Sequence, residues 1–134
     1  MADLLPTTVK LTPSNVINTV TAGEGLSVGS FYYLSSSDNK AYLCNNTTES
    51  DAYVSGVVVT AALPDEIAVV TTGGDEIDLG VTVTAGELYV VAGSNGRVMP
   101  YADLTATDWI TWACYGSANG KAVLFHKPMG QQKA

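Results

Sequence analysis

Gly29-Ser30-Phe31-Tyr32-Tyr33-Leu34-Ser35-Ser36-Ser37-Asp38-Asn39-Lys40-Ala41-Tyr42 returns, without a gap, as Gly86-Glu87-Leu88-Tyr89-Val90-Val91-Ala92-Gly93-Ser94-Asn95-Gly96-Arg97-Val98-Met99. In both copies a glycine precedes an aromatic-aliphatic strand, a Ser-Asp/Asn turn closes on a basic residue, and a second apolar strand begins. Each copy therefore reads as a β-hairpin. A third hairpin follows from Trp109-Ile110-Thr111-Trp112-Ala113-Cys114-Tyr115 and Lys121-Ala122-Val123-Leu124-Phe125-His126, joined by Gly116-Ser117-Ala118-Asn119-Gly120. Asn95-Gly96 and Asn119-Gly120 supply the positive-φ residues that tight hairpin turns demand, and Asp38-Asn39 carries the same signal more weakly.

The remaining text is strand and turn as well. Residues 54–63 are β-branched and Ala-rich, Pro64-Asp65-Glu66 makes a turn, and residues 67–72 make the next strand before Gly73-Gly74-Asp75. Ile77, Leu79, Val81 and Val83 alternate with period two, which predicts a strand with one face buried. Pro6 and Pro13 exclude a helix at the start, where residues 7–12 alternate as one extended strand or arm. Only residues 101–108 can hold a short helical turn, capped by Asp103 or Thr105. The expected class is all-β, with antiparallel hairpins forming a small β-barrel or β-sandwich. Residues 1–19 are read as an extended N-terminal arm, 20–127 as a single β domain of two related hairpin halves, and 128–134 as a short C-terminal tail.

Composition sets limits on function. The 134 residues suffice for one modest core. Lys and Arg number 6 against 13 Asp and Glu, a formal charge of −7, which argues against nucleic acid as a partner because phosphate contacts need clustered bases. No secretory signal or spanning segment is read, so no membrane partner is expected and the cytoplasm is the expected place of work. Cys44 and Cys114, without secretory context, read as free buried thiols rather than as a bridge.

Catalytic constellations are missing from the text. The single His126 has no Gly-x-Ser-x-Gly elbow to serve, Asp75-Glu76-Ile77-Asp78 misses the EF-hand pattern and reads as a solvated acidic turn, and the glycines of residues 92–97 open no helix. No enzyme activity, no metal and no cofactor are expected. The aromatics are more telling. In Phe31-Tyr32-Tyr33 consecutive rings face opposite ways, and Trp109 and Trp112, three apart, cannot share a strand face, so Tyr32, Tyr33, Trp109 and Trp112 are candidate protein-interface rings or sugar platforms.

Ala22-Gly23-Glu24 and Thr84-Ala85-Gly86-Glu87 each lead into a Tyr-containing strand, a small-polar turn, a basic residue and a strand. Between them stand Gly56-Val57-Val58-Val59-Thr60-Ala61-Ala62 and Ile67-Ala68-Val69-Val70-Thr71-Thr72-Gly73-Gly74. Over about residues 20–125 this arrangement resembles the small capsid-decorating, or cement, proteins of tailed bacteriophages. The resemblance implies a non-enzymatic virion protein, assembled in the bacterial cytoplasm, that binds the outer capsid surface, stabilises the expanded head, partners the major capsid protein and self-associates, most often as a homotrimer. The expected capsid contact is the apolar arm Leu4-Leu5-Pro6-Thr7-Thr8-Val9, which can add to an exposed sheet edge; removal of residues 1–12 is expected to abolish head binding and leave the fold intact. The alternative is a carbohydrate- or receptor-binding β module of a phage tail or surface assembly, with Tyr and Trp as sugar platforms.

Overall fold

A computed structural model of the chain describes residue 4, residue 6, residues 8–74 and residues 76–133, and for residues 126–129 the backbone course alone. Nine strands run β1 (Val16–Thr21), β2 (Phe31–Leu34), β3 (Ala41–Leu43), β4 (Gly56–Val58), β5 (Ile67–Gly73), β6 (Leu88–Val91), β7 (Val98–Pro100), β8 (Trp109–Gly116) and β9 (Ala122–Gln132). They form a five-stranded sheet, β1-β5-β4-β2-β3, and a four-stranded sheet, β7-β6-β8-β9, both antiparallel. Neither sheet closes on itself, so of the two expected all-β forms the sandwich is the one adopted. No helix of the described residues is long and apolar enough to cross a membrane.

The repeat seen in the text is a repeat in space. Tyr32 pairs with Leu43, Tyr33 with Tyr42 and Leu34 with Ala41; at the matching positions Tyr89 pairs with Pro100, Val90 with Met99 and Val91 with Val98. The turns match too, since Asn39 (φ 59) and Gly96 (φ 76) occupy the same place with the same left-handed backbone. Only Gly takes that conformation without cost and Asn tolerates it best among the rest, which is why the turn text alternates between them. The likeness extends outward: β2 pairs with β4 through Phe31 and Val57, as β6 pairs with β8 through Leu88 and Tyr115. Further on, Val58 meets Val70 of β5 as Gly116 meets Ala122 of β9. Each sheet thus contains the order hairpin, third strand, fourth strand.

Equivalent residues in the two sheets point the same way. Phe31 and Val57 of the first sheet face inward onto Tyr89, Val91, Val98, Ala113, Cys114 and Ala122 of the second. Tyr89, the counterpart of Tyr32, is therefore internal, while Tyr32 lies on the outer face of its own sheet. That outer face is covered in turn. Tyr32, Ala41, Val58, Ala68 and Val70 pack beneath Ala22, Leu26 and Ala62 from the flanking segments, and on the far side of the molecule Val90 and Ile110 pack beneath Leu104. The expectation that one ring of Phe31-Tyr32-Tyr33 leaves the main core is met, but Tyr32 is only 2% exposed because a second cluster receives it.

Several stretches differ from the sequence reading. Residues 128–132, read as part of a C-terminal tail, continue β9 alongside β8 as far as Gln132. Residues 77–84 do not form the expected strand: Ile77, Leu79 and Val83 are buried in alternation as anticipated, yet only Ile77 and Asp78 make ladder contacts, to Ala122 and Lys10. Gly80, at φ 74, turns the backbone out of register and lets the segment run as a filler between the sheets. The segment read as an arm contains β1 at its end, and residues 101–108 hold a helical turn at Tyr101–Asp103 that follows Pro100 without a side-chain cap, in place of the expected cap at Asp103 or Thr105.

Close packing is tightest at Gly116. A Cβ there would collide with the Thr84 carbonyl oxygen, where Gly116 donates its N–H to Glu87 and accepts the Gly86 N–H. Both neighbours are backbone and cannot step aside. Gly116→Ala is therefore expected to destabilise the domain by about 2–4 kcal/mol; urea unfolding measures it, and a midpoint equal to that of the unaltered chain contradicts this packing.

Candidate functional site

The β2–β3 hairpin and the short turn Ser50–Ala52 enclose a cleft of about 340 Å³ lined by Tyr33, Ser35, Ser36, Ser50, Asp51 and Tyr53. Ala52, fully buried, anchors the turn, and its N–H bonds the Glu49 carbonyl at 3.2 Å while the Tyr53 N–H bonds Ser50 at 3.3 Å. This leaves Tyr53 44% exposed at the cleft mouth, its hydroxyl 3.4 Å from Glu49 Oε2. Across the cleft, Tyr33 stands opposite Tyr42 in the ladder and stacks on it at 5.9 Å with an interplanar angle of 29°. The Tyr42 hydroxyl in turn donates to Asp38 Oδ2 at 2.6 Å, and this bond holds the Asp38 carboxyl below the ordinary range.

Electrostatics in the cleft are passive. Burial pushes the Tyr33 phenol up to about 12, reinforced by its hydrogen bond to the Asp51 carboxylate and by the negative charges of Asp51 and Glu24. Burial raises Cys44 well above the thiol range and Cys114 to about 12. Both cysteines are free, as the sequence reading held. A thiol raised in this way is protonated and a poor nucleophile. The cleft itself presents aromatic faces, serine hydroxyls and a carboxylate acceptor.

The candidate residues from the sequence disperse. Tyr33 lines this cleft; Tyr32 is internal and offers no ring to a partner. Trp112 is half-buried, 5.0 Å from the Tyr101 ring and set against Val90, Leu104 and Ile110. Lys133 Nζ sits 4.9 Å over Tyr101 and donates to the Leu104 carbonyl at 2.7 Å, so this aromatic group is occupied within the chain. Trp109 is half-buried on β8, whose register shifts twice along β9. Tyr53 and Asp51 escaped the sequence reading because the cleft joins segments far apart along the chain. No local pattern marks that pairing.

The described arm residues belong to the body. Leu4 donates its N–H to the Val98 carbonyl at 2.9 Å, Lys10 exchanges main-chain bonds with Asp78 at 2.9 and 3.1 Å, and Leu4, Val9 and Leu11 pack on the main core. Pro6 is half-buried and Thr8 exposed; Leu5 and Thr7 lie outside the described residues. Leu4, Val9 and Leu11 thus help complete the core, and removal of residues 1–12 would uncover it rather than leave the fold untouched. In the acidic turn, Asp75 also lies outside the described residues, Glu76 accepts from Asn119 Nδ2 at 3.0 Å, and Asp78 Oδ1 accepts the Gly80 N–H at 2.9 Å. Among the described residues no group of three metal-ligating side chains comes together.

Comparison of the chain with protein-family models, with curated proteins and with solved structures finds no match.

Tyr32 and Tyr33 are both held near 12 against an ordinary value of 10.0, in each case chiefly by burial. A folded-state pKa above the unfolded one means that the stability tied to the neutral phenol is complete below about pH 10 and is lost as pH rises from there toward 12. Tyrosinate absorbance of the folded chain is expected to show a component that ionises near 12, and Asp51→Asn to lower the Tyr33 value while leaving Tyr32 in place. Absence of any component ionising well above 10 is the opposite outcome.

Proposed function

We propose that this chain is a structural virion protein that binds the outside of a phage head and stabilises the expanded shell by contact rather than by chemistry. The observation that carries the reading is the apolar surface at the β4–β5 connection. Leu63 and Ile67 are 66% and 62% exposed, and they adjoin an open groove of about 330 Å³ walled by Gly25, Leu26, Ser27, Ala61, Ala62 and Glu66. Apolar patches rimmed by polar residues on a small rigid domain are contact surfaces. The major capsid protein enters as partner through the resemblance described above. The mechanism is linkage: a protein that binds only the expanded state stabilises it by its binding free energy, repeated at every site on the shell.

A second reading has its own support. Tyr33, Tyr53, Asp51 and the serines of the aromatic cleft favour a carbohydrate- or receptor-binding module of a tail or surface assembly. Copy number separates the two. Mass spectrometry of purified particles is expected to find this chain at an abundance comparable to the major shell protein, and to find Leu63→Asp depleted at least about tenfold from particles while its unfolding midpoint is retained. A few copies per particle, together with N-acetylglucosamine oligomers that perturb Tyr53 resonances and a Tyr53→Ala variant that no longer responds, would instead establish the module.

A further inference from the structure

Three of the four sheet edges carry a main-chain bond from another segment. Ala41 of β3 accepts the Gly23 N–H at 2.8 Å, Val98 of β7 accepts the Leu4 N–H at 2.9 Å, and Ala122 of β9 exchanges bonds with Ile77 at 2.7 and 3.0 Å. The fourth edge is the outer side of β1, and among the described residues nothing pairs with it. Its text, Val16-Ile17-Asn18-Thr19-Val20-Thr21, has no charge and no proline, the devices that ordinarily blunt an edge.

The repeat shows what such an edge accepts. Asn18 meets Val70 of β5, and at the matching place Ile77 meets Ala122 of β9. One residue further, Thr19 corresponds to Asp78, whose outward N–H and carbonyl are both bonded by Lys10, running antiparallel. In the second sheet the chain's own arm fills this position; at β1 it is open. The phase agrees. Ala22 directs both its N–H and its carbonyl toward Glu66 and Asp65 beside β5, at 2.8 and 2.7 Å, so strand alternation turns the N–H and carbonyl groups of Ile17, Thr19 and Thr21 outward.

We propose that this edge pairs with the same edge of a second copy of this chain, antiparallel, about a two-fold axis at Thr19. In that register Thr19 bonds its own counterpart, and Ile17 exchanges bonds with Thr21 of the second copy, so every outward group finds a partner. Charge selects the occupant. The chain carries −7 overall, yet no ionisable residue stands between Lys10 and Glu24 or between Glu66 and Asp75, so β1 and its neighbour β5 form a neutral strip on which two acidic molecules can meet without opposing like charges. Apolar area adds to it: Ile17 is 59% exposed and Val16 49% exposed. Isologous pairing closes at two copies, in contrast to the threefold assembly that the resemblance implies, and it holds whether or not the chain binds a shell.

Thr19→Pro tests it, because the lost N–H points away from β5 and edge strands tolerate proline there. Sedimentation equilibrium of the full chain at micromolar concentrations is expected to give twice the chain mass, and Thr19→Pro the chain mass, with the melting temperature measured for both. Thr19→Lys, which keeps every main-chain bond and sets two like charges directly opposite one another on the axis, is expected to do the same if the proline variant fails to fold. A monomeric parent chain, a trimer, or a dimer that survives Thr19→Lys overturns the proposal.

Discussion

Strand alternation means that no hairpin in this chain has a spare face. A strand of Phe31-Tyr32-Tyr33-Leu34 must send large side chains both ways, and a sandwich has only one interior between its sheets. Because the two sheets stack with their equivalent residues pointing in the same sense, the face that is internal in one hairpin is external in the other. The structure answers with three clusters instead of one: the main core between the sheets, a second beneath residues 22–26 and Ala62, and a third beneath Leu104. The irregular connections are what make this possible. They are long enough to fold back over the outer faces, and they carry small residues such as Ala22 and Ala62, which let backbone approach the sheet closely.

The same covering explains which aromatics remain available. Tyr32 and Tyr89 hold equivalent places and are both buried, at 2% and 3% exposure, although they face opposite sides of the sandwich relative to its centre. Tyr33 escapes full burial because its neighbours are a hairpin turn and a short helical turn, neither of which can carry a roof. A cleft is the result. Its phenol, its serines and Asp51 are held in place by the hairpin register on one side and by buried Ala52 on the other, which makes the cleft a rigid feature rather than a fold of loose loop.

The sequence disclosed the parts of this architecture that are local. Hairpin register follows from strand period and turn chemistry, both written within the matched segments beginning at Gly29 and Gly86, so β2, β3, β6 and β7 were legible to the residue. Ile77, Leu79 and Val83 disclosed burial but not pairing: alternation reports which side chains go inside, and pairing depends on which edge lies alongside. Tyr32 was misjudged as an interface ring for a related reason, since its cover comes from residues at long separation. The cleft shares that limit. Asp51 and Tyr53 are brought to Tyr33 by the pairing of β4 with β2, where Ser55 donates its N–H to the Tyr32 carbonyl, and nothing adjacent to them in the chain records it.

The two halves are alike in everything except their open edges, and the difference lies in one short segment. Behind β9 the position next to Ile77 and Asp78 is filled by Lys10, whose charge sits beside an acidic turn and whose neighbours Val9 and Leu11 cover the main core. Among the described residues the arm takes one of two equivalent places, and the edge that it leaves open is the neutral, β-branched one. Had the arm settled on β1 instead, the exposed edge would have been the one at Asp78, beside Glu76, where a second copy of an acidic chain would meet like charge. The allocation of the arm thus removes the edge that cannot pair with itself and leaves the edge that can.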